Sequence, residues 1–187
     1  VLILEGNLNN PKVSFDKIKI AFTALDKDLQ KVSSGIKIQA KIDAINSTQI
    51  GKEAPNFTGK DPKGEEVTLH DVLGKKVTVV DFWASWCAPC RIENRNMVKL
   101  NKDFKSKGLN IVGVSLDSND IEWRAAIYAD ELNWYHISNL KSWQDTIAIS
   151  YDVMAIPCTY ILDADGKIVA KNLKGDELRK KIAELTK

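Results

Sequence analysis

The run Trp86-Cys87-Ala88-Pro89-Cys90 constrains this chain more than any other stretch of it. Two thiols separated by two residues can close into a small ring and reopen, which makes them a two-electron switch rather than a staple. The apolar run 77–83 before them reads as a buried strand, and residues 91–100 after them read as a polar, helix-favouring segment. Strand, cysteine pair, helix is an order that sets the first thiol at a helix N-terminus, where free amides and the helix dipole favour its thiolate. An inert disulfide and half of a zinc site remain alternatives for a bare CxxC, although no second CxxC or His-x-x-x-His accompanies this one. Haem attachment requires a histidine where Arg91 stands.

The chain has 187 residues, enough for one domain with a full core plus an extra segment. Its 44% hydrophobic and 28% charged residues are those of an ordinary globular protein rather than a disordered one. The net charge is only +2, and residues 1–50, with seven lysines against five acids, account for all of it. No basic patch points to nucleic acid or to a membrane surface. Three cysteines exclude a disulfide-rich scaffold, and no run of eighteen apolar residues forms a membrane span. A chain that begins at Val1 is read as processed or trimmed, so a missing signal peptide carries no weight against secretion.

Residues 1–48 differ from the rest and are expected to form a mainly helical segment, the remnant of a larger domain. The first four residues are a short apolar run, read as a strand remnant. Phe15, Ile18, Phe22, Leu25, Leu29 and Val32 recur at three- and four-residue steps, the stripe of one amphipathic helix. Ser33-Ser34-Gly35 should end it, with a second, shorter helix carrying Ile38, Ile42 and Ile45. The stripe needs burial, against the main domain or against a partner.

From residue 49 to 187 strands and helices alternate. Strands are expected at 65–70, 76–83, 110–116, 134–138, 158–163 and 167–171, and helices at 87–107, 121–132, 142–150 and 176–185. Central strands buried on both faces between helices predict an α/β sandwich.

Several spaced motifs now agree in order. Ile50-Gly51-Lys52-Glu53-Ala54-Pro55-Asn56-Phe57, Leu69 with Gly74-Lys75-Lys76, Phe82-Trp83-Ala84-Ser85-Trp86-Cys87-Ala88-Pro89-Cys90-Arg91 with Glu93, and Tyr151-Asp152-Val153, Ile156-Pro157, Tyr160-Ile161-Leu162-Asp163 and Asp165-Gly166-Lys167 resemble the TlpA/ResA-like thiol-disulfide oxidoreductases of the thioredoxin superfamily. The resemblance covers residues 50–187. It implies a thioredoxin fold, a central mixed β-sheet flanked by helices, with an αβ insert at about 118–138. It also implies protein disulfides as substrates, an upstream electron donor such as a membrane thiol reductase, and an extracytoplasmic role that includes cytochrome c maturation. No cofactor and no metal is implied.

Within that resemblance Cys87 is the nucleophile and Cys90 the resolving thiol, one turn deeper. Pro89 fits the first helical turn, where its missing N–H costs nothing. Asp81 matches the buried acid of thioredoxins that accepts the second thiol's proton, and burial should raise its pKa. Glu93 matches the active-site acid of the ResA group, with a surface helix residue as its plainer reading. Pro157, after Ile156, is the expected cis-proline that leaves the neighbouring backbone free to pair with a substrate peptide. Trp86 and Ala88 complete an apolar substrate rim, while Trp83 packs in the core. Three departures stand out: Arg95 where a helix-kinking proline is usual, Ala155 where glycine is common, and Cys158 where threonine is typical. Cys158 is either a third exchanging or metal-binding thiol or, more plainly, a small buried one. His70 and His136 have no partner spacing and read as structural or surface residues.

Dithiol-disulfide exchange on proteins, in the reducing direction, is the leading function. A thiol peroxidase shares the fold, but Ala84-Ser85-Trp86 lacks the threonine that arrangement places three residues before its reactive cysteine. The third alternative is a redox-regulated interaction module that docks partners through its N-terminal helices.

Overall fold

The computed structural model describes residues 1–8, 10 and 12–187. It divides into two compact units, Val1–Asn46 and Ser47–Lys187.

The first unit is helical: α1 Leu2–Gly6, α2 Phe15–Thr23, α3 Lys27–Lys31 and α4 Ser33–Ser47. Ile18, Phe22, Ile38 and Ile42 form its core. The expected strand at its start is a helix, α1, because a lone extended segment leaves its N–H and C=O groups unpaired whereas a helix pairs them locally. The expected single helix over 15–32 breaks in two. The Asp26 carboxylate accepts the Asp28 N–H at 2.8 Å and starts a new helix there. The Gln30 side chain donates to the carbonyls of Phe22 at 3.2 Å and Leu25 at 2.9 Å, satisfying the end of α2. Ser33-Ser34-Gly35 does not stop a helix but begins α4, with Ser34 and Gly35 buried. A Cβ on Gly35 would collide with the backbone of Leu29 and Gln30, so the residue is small because the chain passes close by.

The second unit opens with the antiparallel pair β1 Thr58–Lys60 and β2 Glu66–Thr68, followed by a 3-10 turn at Leu69–Val72. Then come β3 Val77–Trp83, α5 Ala88–Phe104, β4 Leu109–Ser115, α6 Asp120–Ala129, β5 Tyr135–Ile137, a 3-10 turn at Ser142–Gln144, α7 Thr146–Ser150, β6 Cys158–Asp163, β7 Ile168–Lys171 and α8 Gly175–Leu185. The main sheet has the order β5-β4-β3-β6-β7. β3, β4 and β5 run parallel, while β6 and β7 are antiparallel to their neighbours. This is the thioredoxin-like mixed sheet flanked by helices, and α6 with β5 supplies the insert.

All seven residues of β3 are buried, as a central strand between two helical layers demands. Val80 and Phe82 face one core with Tyr151, Tyr160 and the cysteines. Val77 and Val79 face the other, against Met97, Leu100 and Phe104 of α5 and Leu178 and Ile182 of α8. Two expectations shift: the strand at 65–70 shortens to β2, and the helix at 142–150 splits because Asp145 caps α7 by accepting the Ile147 N–H at 2.8 Å. β1 was not anticipated. α5 continues unbroken through Arg95.

Candidate redox site

β3 delivers the chain to the cysteines, and antiparallel β6 begins beside the point where β3 ends. The register pairs Phe82 with Cys158, so the Cys87–Cys90 turn and the Ile156–Pro157 segment share one end of the sheet. Cys87 and Cys90 are joined in a disulfide with Cα atoms 5.2 Å apart. Cys87 is the N-cap of α5, and its sulfur accepts the Cys90 N–H at 3.2 Å. Pro89 occupies the first turn. A sulfur in that position faces the positive end of a 17-residue helix, which stabilises it as a thiolate once the disulfide is opened. Cys87 is only 5% exposed and Cys90 is fully buried, whereas Trp86, Ala88 and Pro89 are exposed. Ile156–Pro157 is a cis peptide, with both residues half-buried.

Asp81 lies in the buried middle of the sheet, 4% exposed, paired in register with Thr159 and Gly113. Its Oδ1 has no hydrogen-bond partner. Burial pushes its carboxyl up to about 7, the negative charge of Glu93 pushes the same way, and Lys174 opposes both. Glu93, half-buried one turn beyond Cys90, is not a free surface residue: its Oε1 accepts the Gly175 N–H at 2.7 Å and its Oε2 accepts from Asn96 at 3.0 Å. It therefore ties α5 to the first turn of α8, the helix that also brings Lys174 close.

Cys158 is buried, and its thiol donates to Asn172 Oδ1 at 3.2 Å. Burial pushes it up to about 11, with Asp81 adding to the effect and Lys171 and Lys174 opposing it, so it is a neutral thiol at ordinary pH. Among the described residues no three His, Cys, Asp or Glu side chains converge as a metal site. His136 is buried and neutral, pushed down to about 4 by burial, with its ring stacked on Trp134 at 5.5 Å. A Cβ on Gly113 would sit 2.7 Å from His136 Nδ1 and 3.1 Å from Trp83 Nε1, so that strand position admits only glycine. Trp83 is fully buried.

Further residues frame the site, and among them Asp117, Asn94 and Asp130 lie outside the sequence motifs. Asp117, 0% exposed, accepts from the Ser85 N–H at 3.0 Å, from Ser85 Oγ at 2.5 Å and from Ser115 Oγ at 2.6 Å. It clamps the loop that leads into Trp86 and Cys87. Arg91, next after Cys90, forms a two-pronged pair with Asp130 at the end of α6 and donates to the Ser85 carbonyl at 3.3 Å. Burial alone would raise the Asp130 carboxyl, but the bonds from Arg91 and from Asn94, which donates to the same group at 2.7 Å, outweigh it and hold the carboxyl below its usual range. Behind the cis-proline, Tyr151 donates to the Pro55 carbonyl at 2.7 Å and Tyr160 donates to the Tyr151 carbonyl. An acid ending the apolar run 109–116 was the one sequence signal for Asp117.

Residues 50–171 match the AhpC/TSA family. The chain is 32% identical over 139 residues to the thiol-disulfide oxidoreductase ResA of Bacillus thuringiensis subsp. konkukian, covering 74% of this chain and 78% of the relative. It is 32% identical over 147 residues to the thiol:disulfide interchange protein HelX of Rhodobacter capsulatus, covering 76% and 80%. Among solved structures, the thioredoxin domain of a thiol-disulfide oxidoreductase from Bacteroides vulgatus has a TM-score of 0.69 and 36% identity, over 74% of this chain and 99% of that one.

Proposed function

The chain belongs to the AhpC/TSA family and is a protein thiol-disulfide oxidoreductase of the ResA/TlpA-like type, and from that premise we propose that Cys87 and Cys90 reduce partner proteins with Asp81 as proton acceptor. The observation that carries this reading is the Cys87 sulfur seated at the N-cap of α5, at the end of the sheet that also carries Ile156–Pro157.

In the reduced protein the Cys87 thiolate attacks one sulfur of the substrate disulfide. A Cys87–substrate mixed disulfide forms, and the other substrate sulfur leaves as a thiolate that takes up a proton. Cys90 then gives its proton to the Asp81 carboxylate and attacks the Cys87 sulfur. The Cys87–Cys90 disulfide forms, the second substrate thiol is released, and two electrons have passed from the protein to its substrate. Glu93 acts by holding α8 against α5 and by adding negative charge near Asp81, which keeps that carboxyl basic enough to accept the proton. Trp86, Ala88, Pro89, Ile156 and Pro157 form the apolar platform under the incoming chain. Cys158 takes no part, since its proton is held at ordinary pH.

The reading places the protein outside the cytoplasm, fed by an upstream dithiol donor such as a membrane thiol reductase, as its likeness to the ResA and HelX proteins supports. No helix of the described residues is long and apolar enough to cross a membrane. The test is trapping. Cys90→Ala, expressed in its native compartment, should accumulate mixed disulfides through Cys87 that dithiothreitol releases. Absence of any trapped protein, with Cys87 still alkylatable, would sink the proposal.

A further inference from the structure

Thiol exchange leaves one rim tryptophan, Trp143, without a task, and it stands against Trp86 of the substrate platform. Trp86 is 51% exposed and Trp143 45% exposed, and their ring centroids lie 6.3 Å apart at 53°. That spacing is within the range at which aromatic rings attract. They meet from distant parts of the chain: Trp86 directly precedes Cys87, and Trp143 is the middle residue of the 3-10 turn at Ser142–Gln144.

The turn that carries Trp143 is held firmly. Asn139 donates to Asp145 Oδ1 at 3.2 Å across it, and the same oxygen accepts the Ile147 N–H. The Leu140 N–H donates to Ser138 Oγ at 3.2 Å, while the Leu140 side chain packs against the core. Leu140 and Ser142, both just before the tryptophan, adopt φ of 54° and 51°. The left-handed region is unfavourable for a residue with a Cβ, so the fold tolerates strain here while presenting a large apolar ring to solvent. A half-exposed tryptophan on a fixed backbone beside a second one has the makings of a binding hot spot.

We propose that Trp143 determines specificity: with Trp86 it forms an aromatic wall that receives an apolar or aromatic side chain next to the substrate's cysteine. This rests on the protein-reductase reading above. A substrate sulfur bonded to Cys87 brings its own flanking residues over Trp86, so the wall is continuous with the exchange site. The adjoining segments, Ala84-Ser85-Trp86-Cys87-Ala88-Pro89-Cys90 and Val153-Met154-Ala155-Ile156-Pro157, contain no charged residue, and Met154 and Ala155 are exposed. Beside those uncharged segments a charged flanking residue would lose water, whereas an apolar one gains from burial.

The experiment uses the full chain, reduced with dithiothreitol and desalted, and two disulfide-bonded peptides that differ only in Phe or Ser before one cysteine. Rates are read by acid quench and mass analysis of alkylated thiols. The wild-type protein should reduce the Phe peptide ~10-fold faster than the Ser peptide, the size expected of one buried aromatic contact. Trp143→Ala should bring that ratio to about 1, and Trp143→Phe should restore most of it. Because the readout is a ratio of two substrates on one protein, a loss of folded material does not move it. A wild-type ratio near 1, or a ratio that survives Trp143→Ala, overturns the proposal while leaving the reductase reading intact. A wild-type protein that reduces neither peptide overturns both.

Discussion

Asp81 keeps a carboxyl oxygen without a partner inside a fully buried strand, an arrangement that works against folding. Its folded-state pKa of about 7 stands well above the unfolded value near 3.8. Between those values the native state binds the proton that the unfolded state releases, so the cost of Asp81 grows as pH rises from about 4 and levels off above about 7. At 1.36 kcal/mol per pKa unit the full cost is on the order of 4 kcal/mol. Asp81→Asn should therefore raise the denaturant midpoint at pH 8 far more than at pH 4, as urea titrations at both values would show. The same variant should remove the rise through pH 7 in the rate at which Cys90 resolves the mixed disulfide. Equal stabilisation at both pH values would mean that Asp81 is not held protonated. Residues of this kind are legible in the sequence, because an acid inside Val77–Trp83 contradicts its surroundings. Trp143 was not legible: an aromatic residue in a polar stretch acquires meaning only when folding brings it to Trp86.

Among the elements, the loop between β3 and α5 matters most, and Asp117 secures it from the end of β4. Removing that carboxylate leaves the buried Ser115 hydroxyl and the half-buried Ser85 N–H and hydroxyl without their acceptor. Asp117→Ala should cost about 2–4 kcal/mol and lower the thermal midpoint by several degrees. A midpoint within a degree of wild type, measured by differential scanning calorimetry, would show that the clamp contributes nothing. Elements that bury long apolar runs were readable before folding was considered: β3, β4 and β6 each declare themselves over six or seven residues. β1 has three residues and exists only through its pairing with β2, so no local pattern announces it. In the N-terminal unit the apolar spacing was correctly seen as helical, yet capping by Asp26 outweighed it and divided one expected helix into two. The Arg91–Asp130 pair joins residues 39 apart, beyond the reach of any periodicity.

At the scale of the whole molecule, the two cores of Ser47–Lys187 draw only on residues from Ala54 onward, while the core of Val1–Asn46 is built on Ile18, Phe22, Ile38 and Ile42. Units of fewer than about 60 residues bury too little surface to be secure alone. A chain lacking residues 1–46 should retain a single cooperative thermal transition by circular dichroism and a reducible Cys87–Cys90 pair, and residues 1–46 alone should show only weak helicity. Loss of the cooperative transition in the shortened chain would overturn this division. The thiol held by Asn172 has a wider consequence. A protein that carries three sulfurs at one end of its sheet could dissipate its electrons by shuffling disulfides within itself. Under the proposed exchange chemistry, a retained proton makes Cys158 an insulated conductor beside a live pair, so that electrons reaching Cys87 and Cys90 would leave by way of another molecule.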